Sequence, residues 1–146
     1  MNTVEQRQQE LILEFSKIQD WEDRYKKIIS MGKELPRMDE SMYEDKFLVK
    51  GCQSRVWLHA NLSDSGCVAL QADSDAMIVK GLVSLLLRVY SGVSPEEILS
   101  TPPHFIEEIG FKSYLSQSRA NGFLSMVKQI MLYATAFKMT QGSVPQ

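Results

Sequence analysis

Cysteine is nearly missing from this chain of 146 residues: Cys52 and Cys67 are the whole complement. That excludes a disulfide framework of the kind small secreted domains use. Zinc wants about four nitrogen or sulfur ligands at paired spacings, and Cys52, Cys67, His59 and His104 form no such pairs. Charge of one sign is missing too. With 16 Lys and Arg against 18 Asp and Glu, the formal net charge is -2, which offers no broad positive field for nucleic acid. Nor is there a long apolar run: Lys80 and Arg88 interrupt the most hydrophobic stretch, short of the roughly 18 residues that span a bilayer. Residues 1–10 lack the basic end followed by an apolar segment that marks an export signal. Repeats and low-complexity tracts do not occur. These absences lead to an expectation of one soluble, cytoplasmic domain over residues 1–146, with about 140–146 as a flexible tail. It is expected to bind no metal or cofactor of its own, no nucleic acid and no membrane.

What is present is enough apolar sequence for a core, at 44% of residues, in two periodicities. Val4, Leu11, Phe15 and Ile18 share one helical stripe, and Trp21, Tyr25, Ile28 and Ile29 another. Asp20 is placed to cap the second helix and Gly32 to end it. The period then becomes two. Val56, Leu58, Ala60 and Leu62 alternate with polar neighbours, as do Val68, Leu70 and Ala72, and a hairpin around Asp64-Ser65-Gly66 sets Leu62 opposite Val68, Ala60 opposite Leu70 and Leu58 opposite Ala72. Residues 46–50, with Phe47 and Val49, are expected to supply a third strand. After Ser74 the helical period returns, apolar on most sides from Ile78 to Val89, which places that helix in the core. Ser94-Pro95-Glu96-Glu97 starts a short helix. Residues 118–139 read as a long amphipathic helix with Phe123, Leu124, Val127, Ile130, Met131, Ala134 and Phe137 on its apolar face. The order predicts an α+β fold: a small antiparallel sheet of about three strands with helices on one face.

Few residues can carry chemistry. Cys52 follows Gly51 between two expected strands, where a turn can present a thiol to solvent; a small buried hydrophobe is the competing reading. Cys67 flanks the hairpin turn and reads as incidental. The two thiols are separated by a strand's length, on the order of 30 Å when extended, too far for a disulfide. His59 falls on the polar face of its strand and reads as a surface residue, and His104 as a turn residue. Asp73 and Asp75 at the strand-to-helix change read as helix caps more readily than as a carboxylate pair. Arg119 opposes the dipole at the start of its helix, which hints at an anionic partner, although a solvated arginine is the common case. The methionines, including Met77, Met126 and Met131, read as packing residues.

Four stretches resemble the SufE family of iron-sulfur assembly proteins. They are Trp21-Glu22-Asp23-Arg24-Tyr25 through Leu35-Pro36; Val49-Lys50-Gly51-Cys52-Gln53-Ser54-Arg55-Val56-Trp57; Leu70-Gln71-Ala72-Asp73-Ser74-Asp75-Ala76 with Ile78-Val79-Lys80-Gly81; and Ser118-Arg119-Ala120-Asn121-Gly122. The resemblance implies a fold shared with IscU-type scaffolds and a partner rather than a stand-alone enzyme. That partner is a pyridoxal-phosphate cysteine desulfurase of the SufS or CsdA type, which carries the cofactor, with an iron-sulfur scaffold downstream. It implies that Cys52 accepts persulfide sulfur on a loop with Gly51 and Gln53, sheltered at rest and swinging out on docking. Arg119 supports the transfer and Asp73 helps control the loop. A homodimer is left open. The alternatives are an interaction module that activates the desulfurase without taking sulfur, and an IscU-type cluster scaffold, which needs several converging cysteines.

Overall fold

A computed structural model describes residues 2–143. The two expected helices form as α1 (Thr3–Ser16) and α2 (Trp21–Lys33), and each packs mainly on later elements of the chain rather than along the other. Asp20 caps α2, its carboxylate accepting from the Glu22 N–H at 3.0 Å, and Glu22 and Asp23 complement the positive end of the helix. On α1, Val4, Leu11 and Phe15 are completely buried.

The hairpin of β1 (Val56–Leu62) and β2 (Val68–Ser74) has the expected register, including Leu62 opposite Val68, Ala60 opposite Leu70 and Leu58 opposite Ala72. The turn closes with the Ser63 N–H donating to the Cys67 carbonyl at 2.8 Å, and Gly66 is left-handed at φ 84°. The third strand does not form. Residues 45–47 make a 3-10 turn whose hydrogen bonds consume the Phe47 and Leu48 N–H groups locally. Only a Leu48–Trp57 bridge follows, with the Val49 N–H on the Val56 carbonyl at 2.8 Å. The next rung along β1, the Leu58 carbonyl, is already taken by the Tyr133 hydroxyl at 3.1 Å. The segment from Tyr43 to Phe47 instead covers the outer face of the sheet: Tyr43 meets Trp57 edge-on at 5.1 Å, and Phe47 meets His59 at 5.0 Å. His59 is therefore partly buried and not an ordinary surface residue.

The inner face, carrying Val56, Leu58, Ala60, Val68, Leu70 and Ala72, is buried. Two helices cover it: α3 (Met77–Tyr90), whose Leu82, Leu85 and Leu86 are buried as expected of a core helix, and α7 (Gln117–Ser143). On α7 the sides are set by Phe123, Met126, Val127, Ile130 and Ala134, all buried, whereas Leu124 is 43% exposed. The helix extends past residue 139 to Ser143, and residues 144–146 of the expected tail lie outside the described residues. Between α3 and α7 stand α4 (Pro95–Ser100), capped by the Ser94 hydroxyl, and two short helices that periodicity does not announce, α5 (Phe105–Ile109) and α6 (Phe111–Tyr114). Among the described residues no helix is long and apolar enough to cross a membrane.

Gly32 does not end α2, which continues to Lys33. It is buried where α2 crosses α3. A Cβ on Gly32 would lie 2.7 Å from the Gly81 nitrogen, and one on Gly81 would lie 2.2 Å from the Ile28 carbonyl oxygen. Two residues without side chains thus let the helix backbones touch. Gly81→Ala is expected to lower stability by about 2 kcal/mol, because overpacking against backbone, about 3 kcal/mol, outweighs a helix-propensity gain of about 1 kcal/mol. Urea unfolding measures this, and an unchanged midpoint would refute the contact.

His104 is also more than a turn residue. Its Nε2 lies 2.6 Å from a Glu5 carboxylate oxygen and its Nδ1 bonds Glu108, so it ties the start of α1 to α5. Burial works against the charged ring, but hydrogen bonds and charge from Glu108 and Glu5 outweigh it, and its pKa is raised. A raised folded pKa means that the stabilisation is full below the ordinary imidazole value of about 6.5 and fades as pH climbs through the higher folded one. His104→Gln should therefore lose up to about 1 kcal/mol more at pH 6 than at pH 9, the scale of a partly exposed pair. Equal losses at the two pH values would contradict the charged bridge.

Candidate functional site

The loop of residues 50–55 springs from the Val49–Val56 rung. Its far stem is fastened at Arg55: the N–H donates to Asp75 Oδ1 at 3.1 Å, and the carbonyl accepts from the Ser74 hydroxyl at 2.8 Å. The tip is turned by Gly51, whose φ of 93° suits a residue without Cβ. A Cβ there would also come within 2.5 Å of the Ser125 hydroxyl on α7. Gly51 thus lets the loop lie directly on α7.

That placement sends the Cys52 side chain inward. Its thiol donates to the Gly122 carbonyl of α7 at 3.5 Å, and the residue is partly buried, so both readings of Cys52 are half right. Burial pushes the thiol pKa up, because the thiolate would lose water without gaining a charge partner. Sγ opens on a cavity of about 290 Å³. Val79, Leu82 and Met126 make its apolar wall, and Gln53, Ser54, Ser116, Ser118 and Arg119 its polar rim. Gly51 forms the turn beside it and Gln53, exposed, its outer lip.

Arg119 therefore shares the cavity with Cys52, on the first turn of α7. Among the described residues its guanidinium has no ion pair or hydrogen bond; its backbone N–H donates to the Ser116 hydroxyl at 3.3 Å. At rest this cation does not offset the burial of the thiol, since burial is the cause of the Cys52 shift. Charge sharing between the two, which their family positions suggest, is absent from this conformation.

Asp73 stands elsewhere. It is 5% exposed, accepts from the Tyr43 hydroxyl at 2.6 Å, and lies 3.3 Å from Lys80 Nζ. It does not line the cavity. Neither it nor Asp75 caps α3, whose first residue follows Ala76 with no side-chain cap. Both carboxylates instead strap chain to the end of β2, Asp73 through Tyr43 and Asp75 through Arg55. Cys67 is a free thiol at the hairpin, where its backbone N–H donates to the Ser63 hydroxyl and its carbonyl accepts from the Ser63 N–H. Spacing does not mark Ser116, Val79, Leu82 or Met126 as site residues. Their signal is apolar period or a lone serine before a helix, neither of which points at a cysteine far away in the chain.

The model of the SufE family, described as an Fe-S metabolism associated domain, matches residues 9–134. An uncharacterized SufE-like protein of Synechocystis sp. is 40% identical over 131 residues, 90% of this chain and 82% of that protein. Another from Rhizobium etli is 40% identical over 125 residues, 83% of this chain and 84% of that one. The solution structure of a hypothetical protein from Thermus thermophilus shares the fold, with a TM-score of 0.76 at 21% identity over 91% of this chain and 96% of that one. On the extent of the family match and the identity of these relatives, the chain belongs to the SufE family of proteins associated with iron-sulfur metabolism.

Proposed function

We propose that this protein accepts sulfur on Cys52 from a cysteine desulfurase of the SufS or CsdA type, activates that enzyme by unloading it, and passes the sulfur to an iron-sulfur scaffold in the cytoplasm. The observation that carries this reading is the cavity that joins a loop-borne thiol to an arginine whose guanidinium has no partner among the described residues. The donor is a persulfide. The Cys52 thiolate attacks its outer sulfur, a new S–S bond forms on Cys52, the donor's S–S bond breaks, and its electron pair leaves on the donor cysteine thiolate. No oxidant or reductant is needed. The pyridoxal phosphate that creates the persulfide is the partner's.

The resting geometry fits a thiol that waits for its donor. A thiol of ordinary pKa, about 8.5, is only a few per cent ionised at neutral pH, and burial lowers that fraction further. Reaction then requires the loop tip to leave α7, after which the thiolate is hydrated and Arg119 is free to meet an anionic sulfur. The cluster-scaffold alternative draws no support from the side chains: among the described residues no three His, Cys, Asp or Glu residues are placed to hold a metal ion.

Incubation with a loaded desulfurase and cysteine should raise the intact mass by one sulfur atom, and Cys52→Ser should abolish the gain while Cys67→Ser should not. An activator that takes no sulfur would keep stimulating the desulfurase after Cys52→Ser. Arg119→Ala should leave the melting temperature in place and slow single-turnover sulfur uptake by about tenfold, or about 1.4 kcal/mol of barrier. Uptake at the wild-type rate would remove Arg119 from the mechanism.

A further inference from the structure

The stretch Trp21-Glu22-Asp23-Arg24-Tyr25 takes no part in the cavity, yet three of its side chains converge on one piece of chain. The Trp21 ring stacks on Tyr114, with centroids 4.4 Å apart and planes at 18°, and meets Phe111 edge-on at 5.8 Å. Arg24, its guanidinium 5.0 Å from the Trp21 centroid, donates through Nη1 to the Ile109 carbonyl at 2.8 Å. The Tyr25 hydroxyl donates to the Tyr114 carbonyl at 2.5 Å. One helical turn of α2 thus holds residues 109–114 by two backbone carbonyls and two rings.

Residues 109–114 need such a hold. Within them α6 is a single turn, and a helix that short has no stability of its own. The chain ahead of it is the cavity wall. Leu115 is buried, and Ser116 immediately precedes α7: its carbonyl accepts from the Ala120 N–H at 2.9 Å and its hydroxyl from the Arg119 N–H. Ser116, Ser118 and Arg119 then form the rim, and Gly122 one turn further receives the Cys52 thiol. A helix is stiff, so the direction of its first turns follows whatever anchors the residues before it.

We propose that Trp21, Arg24 and Tyr25 are positioning residues for the Cys52 site, holding the lead-in to α7 so that the rim and the Gly122 carbonyl close over the thiol. The sulfur-transfer arm of this proposal rests on the acceptor reading above; the sheltering arm does not. Two mild variants test it. Tyr25→Phe removes only the hydroxyl that grips the Tyr114 carbonyl, and Tyr114→Ala removes a ring that is 54% exposed and so opens no core. In the free protein, alkylation by iodoacetamide is followed at each cysteine by peptide mapping, with Cys67 at the hairpin as internal control.

Both variants should speed alkylation of Cys52 by about threefold or more through local opening, with Cys67 unchanged. Both should also slow single-turnover sulfur uptake from a loaded desulfurase by about tenfold, because a loosened lead-in displaces Arg119, on the first turn of α7, from the incoming sulfur, the scale of a small misplacement of reacting groups. An unchanged Cys52 rate in either variant, a parallel rise at Cys67, or uptake at the wild-type rate overturns the proposal. If the wild-type protein takes up no sulfur, the acceptor reading fails on its own, and the alkylation pattern alone decides whether the α2 turn shelters Cys52.

Discussion

The contact between Cys52 and the first turns of α7 is the constraint on which the site depends. A thiol that donates to a backbone carbonyl inside a partly closed cavity is kept neutral. Each unit of upward pKa shift removes a factor of about ten in thiolate at a given pH, equivalent to about 1.4 kcal/mol. A buried, neutral thiol is a poorer nucleophile than a hydrated thiolate. The fastening of the loop matches that behaviour. Its stems are tied by the Val49–Val56 rung and by Arg55 to Ser74 and Asp75, whereas at its tip Gly51 lies against Ser125 and the Cys52 thiol makes a long hydrogen bond to Gly122. Firm stems with a weakly held tip allow a short swing without loss of the sheet.

The rest of the molecule serves to hold α7 in place. Phe123 near its start packs edge-on against Phe105 and Phe111, and Tyr133 farther along bonds the free edge of β1. The opposite layer is locked by the crossing of α2 and α3 at Gly32 and Gly81, which presents Val79 and Leu82 to the cavity. Sheet, α3 and α7 therefore meet at Cys52, and a chemically simple site is built from residues scattered over the chain.

The hairpin was legible in the sequence because its two faces alternate cleanly and Gly66 supplies the left-handed position that a three-residue turn needs; the register followed from matching apolar residues. The Asp20 cap and the core character of α3 were legible for the same local reasons. Where expectation and structure part, a distant residue decides. The third strand fails because the 3-10 turn at 45–47 uses the Phe47 N–H while the Tyr133 hydroxyl takes the Leu58 carbonyl that it would reach, and Gly32 serves the close approach to Gly81 rather than the end of its helix. His59 and His104 look like polar surface and turn until Phe47 and the distant Glu5 arrive beside them. Of the residues that the family resemblance groups together, Cys52, Gln53 and Arg119 line one cavity with Gly51 at the adjoining turn. Asp73 does not join them, since its carboxylate turns toward Tyr43 and Lys80. Local pattern also says nothing of a thiol hydrogen bond made across seventy positions of chain.

Whether the resting Cys52 thiol is held neutral against α7 can be measured by ultraviolet absorbance titration of its thiolate in a Cys67→Ser background. Ionisation should set in only above the ordinary free-thiol range, because burial raises the pKa. A thiolate already formed at neutral pH would contradict the sheltered, neutral resting state.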